Sequence, residues 1–398
     1  MSILTETPEQ ETEINWSTIH RTPDISIHKA LNIHDFYRKV TSGSYEHFDI
    51  PIEFVVMLKE AAKAACKKGY LKYAFDLLST AEFTFDQSWH YIQGNTQTRA
   101  EEHISVHYTH ARIATLFGDF RKARKHANKA LECYYSGMAD PSFVINYPVW
   151  IIWGARAEAM SGLHVDHNGT AKRYYRQALE LKPSSVKFSA CELDLCRCLF
   201  ELGRWREPIE RLEAFIEHRA ELFGPDDSGD YLVGYALYLL GNAHMMYKPT
   251  IDGATDIRTI EEALNFLKRS LTCFRLYFGT THCWYGAVND KLGLLYTDLA
   301  AANPQESQQY SQNALNHFRA ALRAFGYQRN AINFKAECAR VLYHTSILMD
   351  NMGKDAEWEE TLMEADALQW DITSSGGWNF EGASAAEVYD EIVNPLFR

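Results

Sequence analysis

Three carboxylates, Asp226, Asp227 and Asp230, stand within one helical turn in Asp226-Asp-Ser-Gly-Asp230. On a helix, that spacing lets carboxylates bridge Mg²⁺ ions and so neutralise a diphosphate. Here the run begins in the Gly224-Pro225 turn and Asp230 stands where a helix N-cap is expected, so loop and capping chemistry is the stronger expectation. His103, His107 and His110 fall at i, i+4 and i+7, the geometry of a metal stripe. Their register also packs them against the next helix, and packing is the role we expect. His164, Asp166 and His167 form a weaker ligand set in a loop. The sequence contains no phosphate-cradling glycine loop, no HExxH helix and no nucleophile elbow.

The elements that must position any site repeat along the chain. A Gly that ends one helix is followed five residues later by a small residue, and seven residues after that by another. Gly69, Ala74 and Ala81 fit this spacing, as do Gly118, Ala123 and Ala130. Ala171 with Ala178, and Ala314 with Ala321, keep the second interval. Small side chains there let two helices approach closely, and the pattern resembles the tetratricopeptide repeat. Ala62, Ala111, Ala155, Cys196, Gly241, Gly293 and Ser346 mark the same register in successive units. Their intervals exceed the ~34 residues of the standard repeat. They are similar to the longer repeats of kinesin light chain, whose linking segment is echoed by Leu222-Phe-Gly-Pro-Asp226 and Tyr277-Phe-Gly-Thr280.

Each helix pair buries its apolar face only against its neighbours. The predicted fold is therefore all-α, a right-handed tetratricopeptide-repeat-like solenoid of about seven helix pairs over residues 52–369. Residues 1–22 read as a flexible acidic arm and 23–51 as an N-terminal helical cap. Residues 370–398 read as a linker, Thr373-Ser-Ser-Gly-Gly377, and a terminal helix opened by the capping box Ser384-Ala-Ala-Glu387. That helix is expected to cap the solenoid or fold back over it.

Composition narrows the function classes. With 398 residues, 46% apolar and 23% charged, the chain fits a folded class and not a disordered one. No apolar run approaches the ~18 residues of a membrane helix. The acidic N-terminus lacks the pattern of a signal peptide, which points to the cytoplasm. The eight cysteines contain no CxxC pair and are expected as reduced thiols. A net charge of −12 argues against a nucleic-acid binder. The sequence leaves a homo-oligomer open.

In such solenoids the first helix of each pair lines the concave surface, so the register yields groove positions. Two residues before each mark stand Glu60, Thr109, Trp153, Asp194, Leu239, Lys291 and His344. One residue after stand Lys63, Arg112, Arg156, Arg197, Asn242, Leu294 and Ile347, so four successive units present a cation and three do not. With Trp153, Tyr235, Tyr238, Leu239, Leu294 and Tyr343 on the same wall, the groove suits a ligand with an anionic end and an apolar body. The alternative is that the cations pair with acidic neighbours such as Glu158 and Glu201 on a solvated face.

Phe278-Gly-Thr-Thr-His282 with Val288-Asn-Asp-Lys291, Glu337-Cys-Ala-Arg340 with Met349-Asp-Asn-Met-Gly353, and Glu387-Val-Tyr-Asp-Glu-Ile-Val393 resemble a group of fungal helical-repeat proteins. That group takes in the unconventional fungal terpene cyclases, the humulene synthases of tropolone-sesquiterpenoid pathways. The resemblance implies Mg²⁺-dependent cyclisation of farnesyl diphosphate or a related prenyl diphosphate with an essential lysine. Lys291 matches by its place on a groove helix, and Lys268, preceded by Leu264, matches by spacing on an outer helix. Where the family has Leu or Met one turn before the lysine, Lys291 has Ala287, which puts the product in question. Arg156 and Arg197 would assist at the diphosphate, and Asp194, Asn242 and Asp290 would hold Mg²⁺. Arg340, Tyr343 and His344 would complete the pocket. The competing expectation is a non-enzymatic scaffold that binds a peptide in its groove. A cyclase needs a closed, dry pocket, and a peptide binder needs an open groove.

Overall fold

Helix-period apolar patterning, closed off by glycines such as Gly118, Gly203 and Gly326 in the left-handed conformation, divides the chain into hairpins. The computed structural model describes residues 50–393 and Phe397, apart from residues 69, 89–91, 94, 140–144, 164–167, 185, 187, 225–226, 247–249, 252–253, 256, 327–333 and 375–382. The acidic arm and nearly all of the expected N-terminal cap lie outside the described residues.

Seven hairpins follow in order. They are α1 (Ile52–Lys67) with α2 (Leu71–Ser88), α3 (Thr96–Leu116) with α4 (Phe120–Met138), α5 (Val149–Ser161) with α6 (Asn168–Leu181), and α7 (Ala190–Glu201) with α8 (Arg206–Phe223). Then come α9 (Tyr231–Met246) with α10 (Ile257–Phe278), α11 (Cys283–Ala302) with α12 (Ser307–Phe325), and α13 (Lys335–Asn351) with α14 (Asp355–Thr373). A last helix, α15 (Ala385–Ile392), follows. Strand structure among the described residues is limited to two pairings of two-residue strands. No described helix is long and apolar enough to cross a membrane.

The two helices of every hairpin pack together, and the first helices α1, α3, α5, α7, α9, α11 and α13 also touch in succession. The molecule is therefore an α-solenoid whose first helices line the interior. Helix α9 shows what that position demands: every residue from Leu232 to Gly241 is buried, as expected of a helix surrounded on all sides. The register marks explain the close approach. Ala62, Ala111, Ala155, Cys196 and Ser346 are all buried, as are Ala123, Ala130, Ala171 and Ala178 at the hairpin contacts. A Cβ on Gly241 would lie 2.6 Å from Leu267, and one on Gly293 would overlap Phe318.

Capping follows the expected chemistry. Asn95 and Asp119 accept from the Thr98 and Lys122 amides at 2.7 Å and 3.1 Å, starting α3 and α4. Ser384 and Glu387 form the expected box at α15. Helix α14 runs to Thr373, past the expected boundary at 369. The terminal segment then folds back inside: α15 packs on α13 and α14, and Phe397 meets Trp284 with ring centroids 5.0 Å apart. At the other end, the Lys67 ammonium sits 4.7 Å from the Tyr277 ring, so the first hairpin reaches the fifth across the interior.

Candidate functional site

Helices α1, α3, α5, α7, α9 and α11, with the end of α10, line a partly open chamber. Its free volume is about 50 Å³, against the ~150 Å³ of a cavity that admits benzene. An occupant larger than a few waters therefore requires lining side chains to move. The chamber has a polar end, where Arg112 from α3 makes a short ion pair with Glu158 from α5 and lies 3.8 Å from Asp194 on α7. The Tyr235 hydroxyl donates to Asp194 at 3.0 Å. Two carboxylates thus share one guanidinium out of water. Burial pushes Glu158 up to about 7 against the pull of Arg112, and raises Asp194 as well. Despite its own burial, Arg112 is held well above its usual range by Glu158.

Much of the rest of the wall is aromatic, with Cys66, Leu116 and Ala190 between the rings. Trp284 packs on Tyr235 at 5.0 Å and stacks on Phe274 at 5.4 Å, and Tyr231 lies against Tyr277 at 5.5 Å. His282 stacks on Phe278 at 4.0 Å and, lowered to about 3 by burial and by Lys67, is a neutral ring. Lys67 lines the same space with no carboxylate within ion-pair reach among the described residues, and burial lowers its pKa.

Of the residues expected at the site, Asp194 and Tyr235 border this chamber. Arg197 does not; it bonds Glu201 at 2.6 Å and Ser161 at 3.2 Å. Arg156 lies over the rings of Trp153 and Tyr174, 5.0 Å and 4.5 Å away, and Trp153 donates to the Tyr135 hydroxyl at 3.4 Å, so both belong to interhelical packing. Three of the four groove cations pair with acids, as the alternative reading held: Lys63 with Glu60, Arg112 with Glu158, Arg197 with Glu201. Of these acids Glu158 is buried, Glu60 half-buried and Glu201 exposed.

A second group gathers around α11 and α13. Asp290 and Arg340 pair at 2.6 Å with no exposure of either side chain. Arg340 also donates to the Phe397 carbonyl at 2.9 Å and lies 3.4 Å from Asp390, while His344 lies 3.6 Å from Asp290. Although burial alone would raise it, Arg340 holds Asp290 well below the usual carboxylate range. Lys291 is half-buried beside this pair, without a hydrogen-bond or ion-pair partner among the described residues, and burial and Arg340 lower it to about 8. Tyr238 is in the core with Asn242 beside its hydroxyl, and Leu239 and Ala287 are buried there too. Leu294 packs on that core from its edge, and Tyr343 stacks on Tyr389 at 4.5 Å. The expected Mg²⁺ ligands are thus divided: Asp194 stands in the chamber, while Asn242 and Asp290 stand with Tyr238 and Arg340, where Asp290 is already neutralised.

The chamber residues that register reasoning missed are Trp284 and Tyr231, while Glu158 was expected only as a partner of the cations. Glu158 carried a signal, being the one acid in Val149–Ser161, one turn after a register mark. The aspartate run behaves as loop chemistry: Asp227 bonds Arg219 at 2.8 Å, Asp230 accepts from the Leu232 amide at 2.9 Å, and Asp226 is outside the described residues. Lys268 is exposed and lies over the Tyr296 ring at 5.6 Å. His164, Asp166 and His167 are outside the described residues. On the outer surface, Lys172, Arg173, Arg176 and Arg204 rim an open basic hollow.

No family model matches the chain, and no curated protein matches it. Among solved structures it is similar to the crystal structure of BtubC (BKLC) from P. vanneervenii, with a TM-score of 0.32 and 15% identity over 79% of this chain and 96% of that one. A likeness that loose carries no argument about function.

Proposed function

We propose that the chain binds a prenyl diphosphate in the aromatic chamber and, with Mg²⁺, ionises and cyclises it, farnesyl diphosphate and a humulene-type product being the forms the sequence resemblance implies. The observation that carries this reading is closure. Lys67 meets Tyr277 across the interior, and Phe397 packs against Trp284, so the space between the inner helices is bridged at two points. A peptide scaffold has correspondingly less support.

The donor set fits an oxygen-preferring cation, since two buried carboxylates share one guanidinium and burial holds one of them near neutrality. Glu158 and Asp194 would hold Mg²⁺, which when bound supplies charge neutralisation for a departing diphosphate. Lys67 and Arg112 are the cations placed to bind the anionic end. Tyr231, Tyr235, Phe278 and Trp284 would exclude water and turn aromatic faces toward a carbocation. The test is incubation of purified protein with geranyl, farnesyl and geranylgeranyl diphosphates and Mg²⁺, with analysis of volatile products. A cyclic terpene from one of them is the expected result, and folded protein that yields no hydrocarbon or terpene alcohol from any of the three ends the proposal.

A further inference from the structure

Away from the chamber, between α2, α3 and α4, four histidines, a glutamate and a cysteine converge. His107, His110 and His126 are buried, and His103 and Glu82 are nearly so. Two imidazole nitrogens and one carboxylate face one another. His107 Nδ1 and His126 Nδ1 are 3.5 Å apart, His126 Nδ1 is 3.5 Å from Glu82 Oε2, and His107 Nδ1 is 3.8 Å from Glu82 Oε1. Each of these separations is longer than a good hydrogen bond, which ends near ~3.2 Å. For ligands ~2.0–2.1 Å from a tetrahedral ion, donors lie about 3.3 Å apart, so a shift of a few tenths of an ångström closes the set.

The surroundings orient the donors. His107 Nε2 lies 3.0 Å from His103 Nε2, and His103 Nδ1 lies 3.6 Å from Cys133 Sγ. With the His103 proton on Nδ1, toward Cys133, His107 carries its own on Nε2, and that tautomer leaves His107 Nδ1 bare toward Glu82 and His126, the arrangement that fixes metal-bound imidazoles elsewhere. His110 Nδ1 lies 3.2 Å from Glu82 Oε2, and its ring stacks on His126 at 3.7 Å, bracing both ligands.

We propose that Glu82, His107 and His126 form a binding site for a divalent transition-metal ion of the zinc class, with a fourth position open to water. Imidazole donors favour such ions over Mg²⁺. The site therefore stands apart from any Mg²⁺ bound at Glu158 and Asp194, and it survives or fails independently of the cyclase reading.

The experiment strips full-length protein with a chelator, adds Zn²⁺ or Co²⁺, desalts, and measures retained metal by elemental analysis. One equivalent should remain, against none for Mg²⁺. Glu82→Gln and His126→Ala should each lose it, and Cys133→Ser should keep it, with circular dichroism establishing that each variant is folded. The Co²⁺ spectrum of the wild-type protein reads the ligands without any variant. Four-coordinate d–d bands with no thiolate charge transfer support the site, whereas thiolate charge transfer would move the ion to the His103, His107 and Cys133 side and overturn it. Wild-type protein that retains no metal, or folded Glu82→Gln and His126→Ala variants that both retain it, also overturn it.

Discussion

Two ionic groups on the inner helices, one on α3, α5 and α7 and the other on α11 and α13, end in opposite states. At the Arg112 end, one guanidinium serves Glu158 and Asp194 beside a free space. At the Arg340 end, one guanidinium serves Asp290 and is sealed by Phe397 and Asp390 of the terminal segment. The first group sets two carboxylates against one guanidinium and keeps a carboxyl near neutrality; in the second, Asp290 and Arg340 pair with no exposure of either side chain, and Asp390 at its edge is exposed. A buried pair of that second kind fixes structure, since removing one partner strands the other. Unbalanced charge beside a cavity marks a place where a ligand can change the energy.

The largest effect should come from Arg340→Ala. It strands a fully buried Asp290 and releases the Phe397 carbonyl, at a cost of about 3–5 kcal/mol in denaturant melts. Arg112→Ala should cost less, because Glu158 is already poised to accept a proton. Equal losses would dissolve the distinction between the two groups.

Turnover sharpens the comparison next. If the chamber does the chemistry, Asp194→Asn should lower volatile-product formation on the order of 10²-fold, the size typical for loss of a preorganised electrostatic group. Lys291→Ala should have the smaller effect, since Lys291 does not border the chamber. A dead, folded Lys291 variant beside an active Asp194 variant would move the site to the Arg340 end. Packing gives a third, smaller contrast. Ala287 is fully buried in the core, so Ala287→Leu should overpack it and lower stability by about 1–3 kcal/mol. An unchanged melt together with an altered product ratio would mean that Ala287 shapes a cavity.

Architecture was legible because small residues at helix contacts are a steric requirement that composition cannot disguise. Gly241 and Gly293 sit where Leu267 and Phe318 leave no room for a Cβ. Ser384 and Glu387 declared a helix start through a hydrogen-bonding pattern only four residues long. The site was legible one helix at a time. Register put Asp194 and Arg112 on the inner wall, but it carries no information on how far the solenoid turns. It could not bring Lys67 to Tyr277, nor show that the terminal segment would seal Asp290 and Arg340. Arg156 misled for a related reason: its register position is inward, yet a long side chain swings to the aromatic faces of Trp153 and Tyr174. The histidine stripe on α3 was visible, but its partners Glu82 and His126 come from the helices on either side.

The finest test is the pH dependence of stability, where the two groups should have opposite signs. Glu158 has a folded pKa of about 7 against an ordinary 4.5, so the folded state keeps a proton that the unfolded chain releases. That contribution is fully present below about 4.5 and is lost as pH rises through 7. Asp290, held below the ordinary carboxylate range, contributes stability that is present above that range and lost as pH falls through its folded value. His103, His107 and His126 are neutral in the fold and oppose acidification below ~6.5. They cancel in the difference between wild type and Glu158→Gln. That difference, followed by denaturant melts from pH 5 to 7.5, should show the wild-type protein losing ground as pH rises, by at most about 1.4 kcal/mol per pH unit. A flat difference would mean that Glu158 is ionised throughout, that Arg112 balances it as Arg340 balances Asp290, and that the chamber has no unmet demand for a cation.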